Sequence, residues 1–468
     1  MSTFATAVVN RPTRTANGMR AHATSGHPVL DLFYQIGAAR GQNIIPTFVA
    51  ALVAHREWAL RVALWARDVR GGAGERQLFR DIVQYLVVHD PLAARAVIAK
   101  IPEIGRWDDL LVIEGPLQAV ALAMIAEALT AKNGLCAKWM PRQGEIAVRL
   151  RRFLGLSPKR YRKLLVELTN VVETKMCAQM WDSIEFAKVP SVAAARYKRA
   201  FNRRTSRYAD YVALVKNGLA TVNSGAVYPY DVLKGLIGTN VAYDAVEIDL
   251  VVAQWNALPN YVGDASILPL VDVSGSMTDP CASGLSALDV AVSLGLYLAD
   301  KNHGAFRDTF VTFSAQPQLL HLKGNVVQKL DQMVKSDWEM NTNLHAAMRE
   351  ILRVALAHQV PAAQMPRYLL ILSDMQFDAC VAHDDSAIQM MARQYAVAGY
   401  AMPVVIFWNI NNHDNIPVQQ HASGAMLVSG FSPGILKAVM KAEMDSLTPL
   451  GLMLSVIMDP RYDLALAE

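Results

Sequence analysis

The sequence predicts a helical module followed by an α/β domain: an all-helical, HEAT-like repeat module, then a doubly wound, mostly parallel sheet. Three observations predict it. From Pro28 to about Val246, apolar residues recur at three- and four-residue steps with short turns between them. Beyond residue 266, apolar β-rich runs alternate with helical segments, the pattern of a parallel sheet covered by helices. The charge also changes sign between the halves. Residues 1–250 hold 33 Lys and Arg against 21 Asp and Glu, and the rest hold 12 against 20. This divides the chain into a basic tail (1–26), a helical-repeat module (27–250) and an α/β domain (251–468), with the junction between Asp244 and Ser266.

Composition excludes several classes. The 468 residues are 53% apolar and 18% charged, which rules out an overall disordered chain. The longest stretches without Asp, Glu, Lys or Arg, Gln394–His413 and Asn415–Leu436, are interrupted by Gly, Pro, Asn, Gln or Ser, so no membrane span and no membrane partner are expected. No apolar leader follows the start. Cys136, Cys177, Cys281 and Cys380 lie far apart with no CxxC pair. Neither a zinc knuckle nor a disulfide framework is expected, and reducing cytoplasmic surroundings fit.

In the tail, Arg11, Arg14 and Arg20 stand among Ser, Thr and Ala with no acid. The composition overlaps that of a mitochondrial transit peptide, but the Arg spacing gives no amphipathic face, so a flexible basic arm is expected. In the helical module, Leu52, Ala59, Val62, Ala63 and Ala66 form one stripe. Ser157-Pro158 reads as an N-cap followed by a first-turn proline, opening a helix that buries Tyr161, Leu164, Leu165, Leu168, Val171 and Val172. Ser191 is expected to cap a helix with Tyr197, Ala200 and Phe201 facing inward. Helix after helix with short turns predicts stacked pairs, although no repeat of fixed period is present. Arg67–Arg76, RDVRGGAGER, has two readings: a backbone nest for a phosphate, or a tight turn between helices.

In the second half, strands are expected at Ile267–Val273, Thr309–Phe313, Tyr368–Leu372, Pro403–Trp408 and Ala425–Val428. Helices are expected near Ser283–Asp300, Asn343–Ala357, Asp384–Val397 and Pro433–Met444. Leu268–Met277, LPLVDVSGSM, runs from an apolar strand into Asp272, Ser274 and Ser276. Ligands of doubly wound sheets bind beyond the C-terminal strand ends. A second strand ends at Asp374, and Thr342 precedes a helix that starts at the same edge. Two carboxylates and three hydroxyls, with no His or Cys, suit Mg²⁺, with Mn²⁺ or Ca²⁺ as alternatives. The competing reading makes Ser274 and Ser276 simple helix caps. An aspartyl-phosphate mechanism lacks its second Asp, since Ser274 stands there. No G-x-S-x-G elbow or Walker loop is present.

The helical half carries two dense basic runs. Lys138–Lys163 includes Arg149, Arg151, Arg152, Lys159, Arg160, Arg162 and Lys163, opposed only by Glu145. Lys188–Arg207 includes Arg196, Lys198, Arg199, Arg203 and Arg204 with no acid. Such clusters neutralise phosphates, and interleaved aromatics such as Tyr197, Phe201 and Tyr208 offer stacking surfaces if they are not core. A solvated charged face is the competing reading.

The order Asp272, Ser274, Ser276, Thr342, Asp374 resembles the von Willebrand factor A domain with its metal-ion-dependent adhesion site. The basic helical module ahead of it, with YRKLLVELTNVVE (161–173), WDSIEFAKVPSVAAARYKRAF (181–201) and YPYDVL (228–233), resembles the TROVE, or Ro autoantigen, family. The resemblance implies a ring of helical repeats closed by the A domain, hydroxyl ligands touching the metal directly, and carboxylates often acting through water. It also implies small noncoding or single-stranded RNA as partner, as part of a ribonucleoprotein, with no reaction of its own. The alternative is a protein-interaction module whose metal captures an acidic residue of a partner. Metal-dependent phosphoryl chemistry at Asp272 and Asp374 lacks a positioned base, so no enzyme is expected.

Overall fold

The structure is a computed structural model that describes residues 12–169, 171–224, 227–234, 236–237, 245–278, 280–282, 285–313, 316–336, 342–378, 387–436, 439 and 448–465. An antiparallel hairpin comes first, β1 (Pro12–Arg14) and β2 (Arg20–His22). Five helices follow: α1 (Pro28–Ile36), α2 (Ile45–Ala54), α3 (Arg56–Arg67), α4 (Gln77–His89) and α5 (Pro91–Ile104). Next come α6 (Gln118–Thr130), α7 (Gly134–Trp139), α8 (Gly144–Phe153), α9 (Pro158–Leu168), α10 (Val172–Cys177), α11 (Ser191–Arg204), α12 (Arg207–Lys216), α13 (Pro229–Leu233) and α14 (Ala245–Asn256). Several chain neighbours pack on one another, α1 on α2, α4 on α5, α6 on α7 and α8 on α9. The α9 start is as the sequence implies: the Ser157 hydroxyl accepts from Arg160 N at 3.3 Å, and Pro158 opens the helix. Ser191 differs. It is the first helical residue of α11, preceded by Pro190, and its side chain makes no cap.

The second half alternates strand and helix. β3 (Ile267–Val271), the short pair β4 (Pro280–Ala282) and β5 (Leu285–Ser286), and α15 (Ala287–Lys301) come first. β6 (Thr309–Thr312), β7 (Leu319–His321), α16 (Val326–Lys335) and α17 (Leu344–Ala357) follow. The chain continues through β8 (Tyr368–Ser373), α18 (Ala387–Val397), β9 (Val404–Asn409), β10 (Ala425–Ser429) and α19 (Pro449–Ile457). The six-stranded order is β10-β9-β8-β3-β6-β7, parallel except for the β6–β7 pair. β3 and β8 are adjacent although four strands separate them in the chain, so the winding direction reverses between them. That makes the crevice at their C-terminal ends the switch point of the sheet. The sequence reading had missed the edge strand β7 and helix α16. The expected helix at Pro433–Met444 falls largely outside the described residues; Pro433–Ile435 is a single 3₁₀ turn.

Helices and sheet share one continuous apolar core, running from Val29 and Phe33 through Trp65 and Tyr161 to Leu370, Trp408 and Tyr462. The join is α1 lying against the edge strand β10. Ser429 Oγ donates to Phe33 O at 3.0 Å and accepts from Gly37 N at 3.2 Å. A Cβ on Gly37 would sit 2.6 Å from that Ser429 oxygen, so only glycine allows the approach. A second, smaller core of Ile184, Phe186, Val189, Phe201, Tyr208, Val212 and Leu250 belongs to the lobe around α11 and α12. Among the described residues no helix is long and apolar enough to cross a membrane.

RDVRGGAGER is a turn between helices, and its donors are used internally. Ala73 N donates to Trp65 O at 3.1 Å and Glu75 N to Ala66 O at 2.7 Å. Three of its charged side chains are buried in ion pairs, Arg67 with Asp109, Asp68 with Arg461 and Glu75 with Arg40, while Arg70 and Arg76 are exposed. With these backbone donors used inside the turn, the phosphate-nest reading is set aside.

Candidate functional site

The site starts from two fully buried strands. β3 is apolar at every position and β8 is apolar up to its last residue, Ser373, so the residue that follows each strand is carried to the same sheet edge. Those residues are Asp272 and Asp374, both 0% exposed. Asp272 is held from two sides: Ser274 N donates to Oδ1 at 2.9 Å and Ser373 Oγ to Oδ2 at 2.5 Å. The chain then enters a short 3₁₀ turn, Gly275–Thr278, where the Ser274 and Ser276 hydroxyls are 3.2 Å apart. Neither serine caps the long helix α15, which is capped by Ser286 instead.

Asp374 is followed by Met375 in the left-handed region, φ +66°. This strained turn at a buried position reverses the chain, so that Gln376 N reaches Asp374 Oδ1 at 3.2 Å. Thr342 is buried beside it. Its hydroxyl donates to Gln376 O at 3.0 Å, and its N–H donates to Asp378 Oδ2 at 2.7 Å. One chain of contacts therefore links the five residues singled out in the sequence.

Burial and the neighbouring Asp374 carboxylate push the Asp272 carboxyl up to about 6. Asp374 Oδ2 is buried and accepts no hydrogen bond. The imidazole Nε2 of His413 lies 3.3 Å from this oxygen. A buried carboxylate oxygen without a donor, beside a second carboxylate and three hydroxyls, is a donor set that fits a hard divalent cation. Among the described residues no three His, Cys, Asp or Glu gather to hold a metal, so such a cation relies on the hydroxyls.

Three neighbours of the site were missed in the sequence. His413 lies in the loop after β9; NINNHD (409–414), a polar cluster at a strand end, was its only signal. Asp378 and Ser373 hold Thr342 and Asp272. The hairpin departs from the expectation of a flexible arm. Thr15 Oγ1 donates to Phe377 O at 2.5 Å, Ala16 N to Gln376 Oε1 at 2.7 Å, and Asn17 Nδ2 to Gln376 O at 2.7 Å. These bonds join positions some 360 residues apart, which no local pattern announces.

The basic residues fall into two groups. Arg152, Lys159, Arg160, Arg162, Arg196, Arg203 and Arg204 are exposed and form no ion pair among the described residues. Arg151 is half-buried; Arg149 pairs with Glu145, Lys163 with Glu167 and Arg199 with Glu247. Lys198 is only 5% exposed, so it does not belong to an outward basic face. The aromatics among them are core: Phe201 and Tyr208 are buried and stack around Phe186. A groove of about 460 Å³ beside α9 is lined by Lys138, Arg142 and Arg162, with Val166 and Val171 on its apolar side.

Comparison with known proteins adds the following. One domain of unknown function (DUF2828) matches residues 118–268, and another (DUF7788) matches residues 266–449. Over 508 aligned residues the chain is 28% identical to "Uncharacterized protein L728" of Acanthamoeba polyphaga mimivirus, spanning 95% of this chain and 86% of that protein. Among solved structures it is similar to the crystal structure of the Deinococcus radiodurans Ro (RSR) protein, at 15% identity and a TM-score of 0.37, over 92% of this chain and 93% of that one. At that TM-score no residue's role is carried across. The chain is thus similar to two adjoining domain families that meet just where helices give way to sheet, and to a viral protein over nearly its whole length.

Proposed function

We propose that the protein is a non-catalytic RNA-binding scaffold of the Ro/TROVE type, whose sheet edge also holds a divalent cation, most simply Mg²⁺. The observation that carries the RNA reading is the set of seven exposed cations on α8, α9 and α11 that form no ion pair among the described residues, together with the basic groove beside α9. Long side chains left without acidic partners favour a polyanion, because each phosphate neutralised releases a counterion. At the sheet edge, Asp272, Ser274, Ser276, Thr342 and Asp374 would hold the cation. Bound there, it supplies a Lewis-acidic centre that accepts an anionic oxygen. The protein's own groups position the donors: Ser373 and Ser274 fix Asp272, while Asp378 and Gln376 fix Thr342.

A second reading, capture of a partner protein's carboxylate at the metal, is favoured by the buried Asp374 oxygen that accepts no hydrogen bond. The two separate experimentally. Protein purified without nuclease is assayed for co-purifying RNA and for binding of single-stranded RNA across a salt series. If all seven cations contact phosphates, the log–log slope is about −5, from roughly 0.7 per contact. Changing Arg152, Lys159, Arg160 and Arg162 to Glu reduces it by about 3. A clean protein that binds no added RNA at low salt overturns the RNA reading. Partner capture that survives chelator and Asp272→Ala overturns the second.

A further inference from the structure

We infer that the cavity between α11 and α13 is a binding site for a phosphomonoester, the phosphorylated end of an RNA strand, an assignment that rests on the RNA-binding reading. The cavity measures about 310 Å³, the size of a small-ligand site, and is lined by Val192, Ala195, Arg196, Lys198, Arg199, Asp231 and Lys234. None of these residues belongs to the sheet-edge site or lines the α9 groove. Arg196 and Lys234 are exposed at its mouth, while Lys198 is buried in its wall.

Charge selects the ligand. Asp231 has a structural task, since its Oδ2 accepts from Tyr228 N at 3.2 Å at the start of α13. Glu247 lies 3.3 Å from Arg199 Nε. Four cations against these two carboxylates leave two positive charges around one cavity. A phosphomonoester carries about −1.5 to −2 near neutral pH and three acceptor oxygens. An internal phosphodiester carries a single charge and must continue in both directions. A walled cavity with a cation in its wall and two more at its rim therefore fits a chain end better. Val192 and Ala195 give it an apolar side on which a ribose or base can rest. Burial also lowers the Lys198 ammonium to about 8, so a dianion beside it offsets a charge that the fold alone holds poorly.

The test uses the full chain and one short single-stranded RNA in three forms, with a 5′-phosphate, a 3′-phosphate, or hydroxyls at both ends, read by fluorescence anisotropy. Adenosine monophosphate is titrated in parallel by calorimetry. One phosphorylated form is expected to bind at least roughly tenfold tighter than the hydroxyl form, the gain from charge-assisted hydrogen bonds. Lys234→Glu, at an exposed position outside the seven cations, is expected to remove that preference while the hydroxyl RNA still binds through the α9 face. Equal affinities for all three RNAs, with no binding of the mononucleotide, overturn the inference and leave the RNA reading standing. Mononucleotide binding that Lys234→Glu abolishes, without any RNA binding, keeps the phosphomonoester site and overturns the RNA reading. Binding of none of these ligands overturns both.

Discussion

Asp272→Asn is a sharp test of how two buried carboxylates coexist at the sheet edge. In the folded protein, burial and Asp374 push the Asp272 carboxyl from 3.8 to about 6. The folded state therefore holds its proton more tightly than the unfolded chain. The stabilisation this gives is complete below about pH 3.8 and is lost as pH rises through 6. At about 1.4 kcal/mol per pH unit, ionised Asp272 weakens the metal-free fold by about 3 kcal/mol at pH 7.5. Asparagine never ionises, and its amide fits. Its oxygen can keep the Ser274 N–H, while its NH₂ donates to Ser373 Oγ, which turns from donor to acceptor. Allowing up to about 1 kcal/mol for poorer hydrogen bonds, the variant is expected to be about 2–3 kcal/mol more stable than the parent in chelator at pH 7.5. The two should converge near pH 4. Urea unfolding at both pH values reads the difference, and Mg²⁺ should raise the parent's stability but not the variant's. A variant less stable than the parent at pH 7.5 in chelator, or an offset that does not change with pH, refutes the electrostatic account.

Three further perturbations probe other parts of the molecule. A Cβ at Gly72 would lie 1.8 Å from Trp65 O, so Gly72→Ala should destabilise by about 3 kcal/mol or more, whereas Gly41→Ala, with open space around it, should cost about 1 kcal/mol for its positive φ; urea midpoints compare them. Arg67→Met breaks a pair whose side chains are 1% and 0% exposed, but leaves Asp109 its contact with Arg80 at 2.8 Å; a loss of about 3 kcal/mol is expected by the same assay. Lys198 has its folded pKa lowered to about 8 from 10.5, so the fold loses stability as pH falls from 10.5 to 8 and changes no further below; Lys198→Met should be more stable than the parent by about 2–3 kcal/mol near neutrality, and the difference should vanish above about pH 10.5.

The elements that were legible in the sequence are those with local causes. β3, β8 and β9 are built on apolar runs, and α9 carries its cap and proline in adjacent positions, so their places follow from the pattern, although β3 ends at Val271 rather than Val273 and α9 at Leu168, short of Val171 and Val172. Asp272 and Asp374 could be placed at one edge because a parallel sheet aligns its strand ends. β7 escaped because a three-residue edge strand with half-exposed side chains has no periodic signature. Lys198 was misjudged because charge counting cannot tell which face of α11 turns inward toward Val232. His413 and the hairpin escaped because their partners lie far along the chain, and such pairings follow from topology, not from spacing.

The same long-range pairings constrain the order of assembly. α1 is made 396 residues ahead of its partner Ser429 and finds it only when β10 exists, and the β1–β2 hairpin must wait for Gln376 and Phe377. During synthesis the apolar face of α1, with Leu30 and Phe33, is therefore without its strand until β10 has emerged. Contacts of such high sequence separation form slowly and leave early-made surface open to misassociation. Folding yield should accordingly depend on how the nascent chain shields residues 28–37, making this stretch the natural point of engagement for a chaperone.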